Sequence, residues 1–226
     1  MTRQFDGLST GNLVYCLEAR LGVRGCFMTG VGPVTAADRF VGRARTLRCL
    51  PRRTDLAEAQ RASTEPSPHR IAIDGIGAGE VLVIEARGEA EAAVLGDVLA
   101  ARVKAAGGAG VVTDGRVRDL PGLQALDFPV FSAGVHASTF SNRHLGIEVD
   151  APVSCGNVAV MPGDVIVGDA EGVAVIPKGL AGSLPDLARE QEALDGFSLE
   201  KIAEGVPLRR AYPLDPGLRA EFDARA

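Results

Sequence analysis

Residues 96–119 read GDVLAARVKAAGGAGVVTDGRVRD, and this stretch has the most regular pattern in the chain. Good helix formers run from about Asp97 to Ala106 and stop at two glycines, which predicts a helix with a glycine-rich C-terminus. The apolar run at 111–113 then predicts a buried strand. A helix that leads directly into a buried strand is typical of an α/β protein.

The sequence on either side of this unit predicts further elements. We expect a short opening helix over residues 8–21, capped by Ser9 or Thr10, and strands near 40–50, 81–84 and 128–135. Residues 153–181 predict several short strands joined by tight turns, and a helix begins near Leu184. The second half lacks helices between its strands, so we do not expect a plain doubly wound sheet.

Two segments are polar and carry no clear periodicity. Residues 51–70 are rich in Pro and Ser and predict a surface excursion in which His69 is exposed. Residues 205–226 read as an irregular, charged tail.

Composition excludes several classes of protein. The 226 residues suit one globular domain, and 46% hydrophobic residues give it a core. A net charge of −5 argues against a nucleic-acid-binding surface, and no apolar run is long enough for a membrane span. The N-terminus lacks a signal-peptide core, and the four cysteines form no CxxC pair. We therefore expect a cytoplasmic protein with free thiols.

Four charged residues follow the predicted strand at 111–113: Asp114, Arg116, Arg118 and Asp119. Ligand sites in α/β proteins lie beyond the carboxyl ends of strands. An arginine fork can hold a carboxylate, and an adjacent aspartate can bind a hard divalent cation. Arg118 and Asp119 therefore predict a site for a carboxylate and a metal. Surface salt bridges at a loop are the alternative interpretation.

The helix start at Gly96–Asp97 is a second candidate element. Free N–H groups at a helix start bind anions. Asp97 is either the N-cap of this helix or a second acid near a metal. The spacing alone does not establish that this element and the Arg118–Asp119 loop meet.

The helix start GDVL, the loop DGRVRD and the segment PGDVIVGDAEGV occur in this order. With them the chain resembles the family that contains regulator of ribonuclease activity A and the 4-hydroxy-4-methyl-2-oxoglutarate/4-carboxy-4-hydroxy-2-oxoadipate aldolases. The resemblance covers roughly residues 40–180. It implies one RraA-like domain over residues 1–226, an α/β fold built as a β/β/α sandwich with an N-terminal helix and a helical C-terminal extension over 184–226. It also implies a homotrimer or hexamer with active sites between subunits.

The resemblance also implies a chemistry. It predicts a class II aldolase, a lyase that uses Mg²⁺ or Mn²⁺ to cleave a 4-hydroxy-2-oxo acid to pyruvate, with oxaloacetate decarboxylation as a side activity. Carried over by position, Arg118 binds the substrate and Asp119 binds the metal. Asp97 holds metal-bound water. The backbone at Gly96, Val98 and Leu99 cradles the pyruvate carboxylate.

The metal fits this chemistry, since a divalent cation stabilises the enolate that retro-aldol cleavage leaves. The loop has no nearby lysine that could form a Schiff base with the substrate. We expect Lys104 on the solvent face of its helix.

Some positions depart from the family's pattern or stay open. Tyr15–Cys16 stands where the family commonly has Asp-Ala. In the segment GVHASTFSNRH, three residues either shape a different end of the substrate or are ordinary loop residues: His136, Ser138 and Arg143. Glu190 and Glu192 are candidates for an acid that a neighbouring subunit supplies, or they lie on a solvated helix face.

Three acids in the short-strand region sit at turns, where Asp and Gly are favoured for backbone reasons, and are predicted to be structural: Asp164, Asp169 and Glu171.

Two other functions stay open at this point. One is a non-catalytic, protein-binding regulator of ribonuclease activity. The other is a decarboxylase or lyase of another pathway that uses the same metal–enolate site. The sequence has no G-x-G-x-x-G fingerprint that would indicate a nucleotide-dependent methyltransferase.

Overall fold

A computed structural model describes residues 2–225 of the chain. Twelve strands are present in this part: β1 Gly32–Pro33, β2 Phe40–Pro51, β3 Glu80–Ile84, β4 Ala93–Leu95, β5 Gly110–Thr113, β6 Arg116–Val117, β7 Val130–Ser132, β8 His144–Val149, β9 Val153–Cys155, β10 Val158–Val160, β11 Val165–Asp169 and β12 Gly172–Ile176. The α-helices of residues 2–225 are α1 Thr10–Tyr15, α2 Thr54–Ala62, α3 Pro68–Asp74, α4 Asp97–Ala105, α5 Leu120–Ala125, α6 Leu184–Ala203, α7 Leu208–Ala211 and α8 Pro216–Asp223.

The main sheet is mixed and has the order β1-β7-β5-β3-β2-β11-β12. Strands β2, β3, β5 and β7 run parallel, whereas β11 is antiparallel to both β2 and β12. Strand β2 is long enough to pair with β11 in its first half and with β8 in its second half. Two short ladders, β4–β6 and β9–β10, stand apart from this sheet.

The segment that precedes β1 brings the two edges of the main sheet together. The N–H of Met28 donates to the Val173 carbonyl at 2.9 Å, and the N–H of Val175 donates to the Cys26 carbonyl at 2.7 Å. This segment therefore lies along β12 before the chain reaches β7 through β1. The sheet is nearly closed as a result.

Strand β3 explains how the core is layered. Its residues are apolar almost throughout and are buried on both faces, as expected for a central parallel strand. Because side chains alternate along a strand, Val81 and Val83 enter one apolar cluster, whereas Leu82 and Ile84 enter another. The second cluster includes residues of α3, α4 and α5, so these helices cover one face of the sheet. A third cluster joins α1 and α6 to β11 and β12.

Most predicted elements are present at the expected positions, including the opening helix. The Ser9 hydroxyl caps α1 by accepting from the Asn12 N–H, and a π-helical turn at Cys16–Arg20 ends this segment. All four cysteines are buried and free. No helix within residues 2–225 combines the length and the hydropathy that a bilayer crossing requires.

Two polar segments contain helices that their lack of periodicity did not predict, although the helical extension implied for residues 184–226 is confirmed. Residues 51–70 contain helix α2 and the start of α3, although α2 does lie on the surface with no buried residue. The tail after residue 205 contains α7 and α8, and Leu218 of α8 is buried. Capping residues start two of these four helices: Ser67 caps α3 and Asp215 caps α8, each with a proline in the first turn.

Candidate active site

The short ladder between β4 and β6 brings the two predicted motifs together. Ala93 pairs with Arg116 and Leu95 pairs with Val117 in parallel register. The N–H of Arg118 then donates to the Leu95 carbonyl at 3.0 Å. As a result Gly96, at the start of α4, lies directly beside Arg118 and Asp119. The sequence left this meeting open, and the structure establishes it.

Gly96 is required here by space. A Cβ at this position would overlap the Asp119 carboxylate and lie 3.1 Å from Arg118 Cγ. The φ of Gly96 is −123°, which any residue can adopt. The glycine is therefore needed for the close approach of the two elements and not for an unusual backbone conformation.

Arg118 and Asp119 form an ion pair at the end of β6. Arg118 Nε lies 3.0 Å from Asp119 Oδ2, and both side chains are about one-third exposed. Asp119 has φ 59°, in the left-handed region that Asp and Asn tolerate better than most residues. It precedes α5 without capping it, so its carboxylate is not engaged by the first turn of that helix.

Asp97 is the first residue of α4 and Gly96 is the N-cap, so of the two alternatives left open for Asp97, the N-cap is wrong. Asp97 Oδ1 accepts from the Val98 N–H at 2.7 Å. The Asp97 carboxylate also fills the space that a Cβ on Gly122 of α5 would need. Asp97 therefore leans toward α5, on the same side as Asp119. A substrate carboxylate would have to compete with Asp97 for the Val98 N–H.

A cleft of about 360 Å³ opens at the N-terminus of α4. It contains every residue that the sequence predicted for the site: Gly96, Asp97, Val98, Leu99, Arg118 and Asp119. Helix α4 is flanked by α3 and α5. Arg102 Nε of α4 donates to Asp74 Oδ1 of α3 at 3.0 Å.

Lys104 lies outside this cleft. It is exposed on the solvent side of its helix, as we expected. Its Nζ donates to the carbonyls of Leu126 and Asp127 at the end of α5.

His69 also lines the cleft, and the expectation that it is exposed was wrong. It is 7% exposed, and its Nε2 donates to the Val94 carbonyl at 3.0 Å. Its ring stacks on Phe140 with the ring centroids 4.0 Å apart. Burial lowers the pKa of His69 to about 4, which keeps the imidazole neutral. The signal in the sequence was helical spacing, since His69 shares a face of α3 with buried Ala72 and Ile73.

The segment after β7 contributes different residues from those we singled out. Thr139, Phe140 and Ser141 line the cleft. The three predicted candidates make local contacts instead: His136 Nδ1 accepts from the Ser138 N–H, Ser138 Oγ accepts from Asn142 and Arg143 pairs with Glu91.

Asp114 has a structural role. Its carboxylate accepts from the N–H groups of Ala86 at 2.6 Å and Gly88 at 3.1 Å, which fixes the chain after β3. Burial raises the pKa of the Asp114 carboxyl, and the two amide donors act in the opposite direction. The neighbouring Arg116 lies against Gly134.

The acids at the turns are structural, as predicted. Asp164 is buried and accepts from the N–H groups of Met161 and Lys178. Asp169 accepts from the backbone and the hydroxyl of Thr10, and Glu171 adds a weaker contact at 3.5 Å.

The C-terminal acids bind the start of their own chain. Glu190 pairs with Arg20 at 3.0 Å, and Glu192 accepts from the N–H and the hydroxyl of Ser9. Cys16 is buried in the cluster between α1 and α6, whereas Tyr15 is half exposed.

No group of three or more His, Cys, Asp or Glu side chains within the described chain is arranged to hold a metal ion. The carboxylates that line the cleft are those of Asp97 and Asp119. A cation there would depend on substrate and water for the rest of its ligands.

Comparison with known proteins identifies the family. A family model described as RraA-like, Aldolase/RraA, matches residues 10–175. The chain belongs to the RraA-like family. A relative from Halalkalibacterium halodurans, with the provisional name 4-hydroxy-4-methyl-2-oxoglutarate aldolase, is 36% identical over 182 residues, which cover 80% of each chain.

Two solved structures agree with the fold. The protein RraAS2 of Streptomyces coelicolor, described as an unusual member of the RNase ES inhibitor RraA family, is 30% identical with a TM-score of 0.75. The match covers 87% of this chain and 94% of that one. An uncharacterized protein from Pseudomonas syringae is 26% identical with a TM-score of 0.79, covering 93% and 96%. The predicted fold class is confirmed.

Proposed function

We propose that the protein is a divalent-metal-dependent lyase that cleaves a 4-hydroxy-2-oxo acid to pyruvate by retro-aldol chemistry. We also propose that it decarboxylates oxaloacetate as a side activity. The observation that carries this proposal is the position of the Arg118–Asp119 pair against the bare backbone of Gly96, inside the cleft.

The donor chemistry of the cleft fits Mg²⁺ or Mn²⁺. Both ions prefer oxygen ligands, and Mg²⁺ commonly binds one or two carboxylates while it keeps several waters. Asp119 would hold the metal, and Asp97 would orient water around it. When bound, the metal would supply positive charge to the enolate that forms during cleavage.

The residues of the chain account for the other steps of the reaction. Arg118 binds the 1-carboxylate and the 2-oxo group and brings a fixed positive charge to the oxygen that becomes negative. Asp97 receives the proton of the 4-hydroxyl group, directly or through one water. The C3–C4 bond then breaks, C4 becomes a carbonyl carbon, and the enolate takes a proton at C3 to give pyruvate. The apolar side chains of Val94 and Leu95 limit the access of water from one wall.

The comparisons support an aldolase, and they also leave a regulator of ribonuclease activity as a second candidate function. The Halalkalibacterium relative is named for an aldolase, whereas the Streptomyces protein is described as belonging to a ribonuclease inhibitor family. A protein-binding regulator would not need Gly96 and Asp97 together with Arg118 and Asp119 in one cleft. We therefore favour the lyase.

We propose that the protein acts as a homotrimer or a pair of trimers with active sites between subunits. In such an assembly a neighbouring subunit would cover Val98, which is 75% exposed at the rim of the cleft.

Pyruvate release tests the proposed function. The purified protein is incubated with 4-carboxy-4-hydroxy-2-oxoadipate, and pyruvate is followed by coupling to lactate dehydrogenase and NADH. Parallel reactions contain Mg²⁺, Mn²⁺ or a chelator, and oxaloacetate loss is followed separately. We expect metal-dependent release from the hydroxy-oxo acid. Turnover of oxaloacetate alone would place the natural substrate elsewhere. No turnover with any metal would favour the regulator.

A further inference from the structure

A second, smaller pocket lies behind the wall of the cleft. It has a volume of about 190 Å³ and is formed by α2, the start of α3 and β8. His69, Phe140 and Ser141 border both this pocket and the cleft. The two cavities are therefore separated by the stacked rings of His69 and Phe140.

The charged side chains that line this pocket are all positive. Arg52 and Arg61 line it, and no Asp or Glu side chain in the described part of the chain does. Neither arginine forms an ion pair among residues 2–225, although the adjacent Arg53 pairs with Asp55 at 2.8 Å. Arg52 makes only a long contact of 3.4 Å with the Thr54 hydroxyl. Two guanidinium groups around one cavity, with no acid to neutralise them, attract an anion.

Neutral polar groups complete the lining. Ser67 and Ser141 contribute hydroxyls, and Gln60 contributes an amide side chain that donates to the Gly146 carbonyl. His144 is 2% exposed, and its Nδ1 is buried with no hydrogen-bond partner in the described part of the protein. Because Nε2 of this ring donates to the Ala92 carbonyl, Nδ1 is an acceptor, and only a ligand oxygen that carries a proton, such as the hydroxyl of hydrogen phosphate, would satisfy it.

We propose that this pocket binds an oxyanion group, held by Arg52 and Arg61 and by the hydroxyls of Ser67 and Ser141. An oxyanion has several acceptor atoms for planar guanidinium donors and hydroxyls. The group belongs either to a separate small phosphorylated or carboxylated ligand or to the distal end of the substrate in the cleft. This pocket has no part in the retro-aldol steps described above, so anion binding does not depend on the proposed function, and only the second of these two sources rests on it.

Thermal unfolding with inorganic phosphate tests the pocket. Wild type, Arg61→Gln and the double variant Arg52→Gln/Arg61→Gln are compared at constant ionic strength, with chloride in place of phosphate as the reference. Arg53→Gln is the matched control, because Arg53 is an exposed arginine next to Arg52 that does not line the pocket.

At phosphate about tenfold above its Kd, we expect Tm to rise by about 3–6 °C in wild type and in Arg53→Gln. The double variant should lose this rise, and Arg61→Gln should lose most of it. A rise of the same size in the double variant, or an equal rise with chloride, would overturn the proposal. This readout requires no turnover, so it stands even if the lyase assay fails.

Inhibition kinetics separate the two sources of the oxyanion. If phosphate competes with the oxo-acid substrate and Arg61→Gln raises KM without lowering kcat, the pocket receives the distal end of the substrate. If phosphate binds equally well in the presence of saturating substrate, the pocket serves a separate ligand. Both results support an oxyanion pocket and differ only in what occupies it.

Discussion

The carboxylate of Asp119 fills the space in which a Cβ on Gly96 would lie. The side chain of one motif thus packs directly on the main chain of the other. A methyl group at position 96 must displace Asp119 or Arg118. Since φ at this position is ordinary, the backbone itself would accept alanine.

Gly96→Ala should therefore lower activity while the protein still folds. A displacement of about 1 Å in a catalytic group can cost about 100-fold in rate, and we expect a loss of this order in kcat/KM for pyruvate release. Gly182→Ala is the matched control, because no atom of the described chain lies within 4 Å of a Cβ built there. Equal activity in the two variants would show that the contact does not position the site.

Asp119→Asn and Arg118→Ala should each lower turnover by about 100-fold or more, because each removes charge that the proposed transition state requires. Asparagine tolerates the left-handed φ of position 119, so Asp119→Asn tests the charge without straining the backbone. The coupled pyruvate assay measures the loss, and circular dichroism checks the fold. Arg53→Ala, which breaks an exposed ion pair outside the cleft, should leave turnover unchanged. If both site variants stayed active, the site assignment would be wrong.

His69 predicts a loss of stability in acid. Burial lowers its pKa to about 4, below the ordinary value of about 6.5, and the Val94 carbonyl only partly opposes this. Between these two values the unfolded chain binds a proton that the folded chain does not. Stability must therefore fall as pH drops from about 6.5 to about 4, by roughly 3 kcal/mol if the whole shift counts, and then level off.

Urea unfolding at a series of pH values measures this effect. The slope of the unfolding free energy against pH reports how many protons are taken up on unfolding. We expect this number to be lower by about one in His69→Gln between about pH 4 and 6.5. His136→Gln, a change at an exposed histidine, should keep the slope of the wild type. An unchanged slope in His69→Gln would contradict a proton-linked role for this ring.

Gly196 lies in the interior of α6, is exposed and has no atom of residues 2–225 within 4 Å of a Cβ built on it. Gly196→Ala should stabilise the protein by about 0.5–1 kcal/mol, because glycine loses more backbone entropy in a helix than alanine does. The free energy of unfolding in urea checks this. A destabilised variant would show that position 196 faces a contact that the isolated chain does not reveal, such as a subunit interface.

The unit over residues 96–119 could be predicted from sequence because its information is local. Helix formers, two glycines and an apolar run determine α4 and β5, and the site residues follow from their position in this unit. The contact between Gly96 and Asp119 could not be predicted, since it depends on the pairing of β4 with β6, which no local pattern indicates.

The burial of His69 depended on the tertiary fold. Polar residues before it suggested an exposed segment, but Ser67 and Pro68 start a helix whose inner face packs on the sheet. The partner of its Nε2 is the Val94 carbonyl, 25 residues later in the chain. No local pattern indicates such a contact, and the same holds for the pocket around Arg52 and Arg61.

The ladder between β4 and β6 has a consequence for how this scaffold can change. Main-chain hydrogen bonds hold Gly96 and Arg118 in register, and the loop after β7 is tied to β4 by a bond from the Ala93 N–H to the Ser138 carbonyl. The side chains at 139–141 take no part in these bonds. The side chains of Thr139 and Ser141 can be exchanged in a library, or diverge over evolutionary time, to accept new substrates while the reacting groups stay in place, whereas Phe140 is held by its stacking on His69.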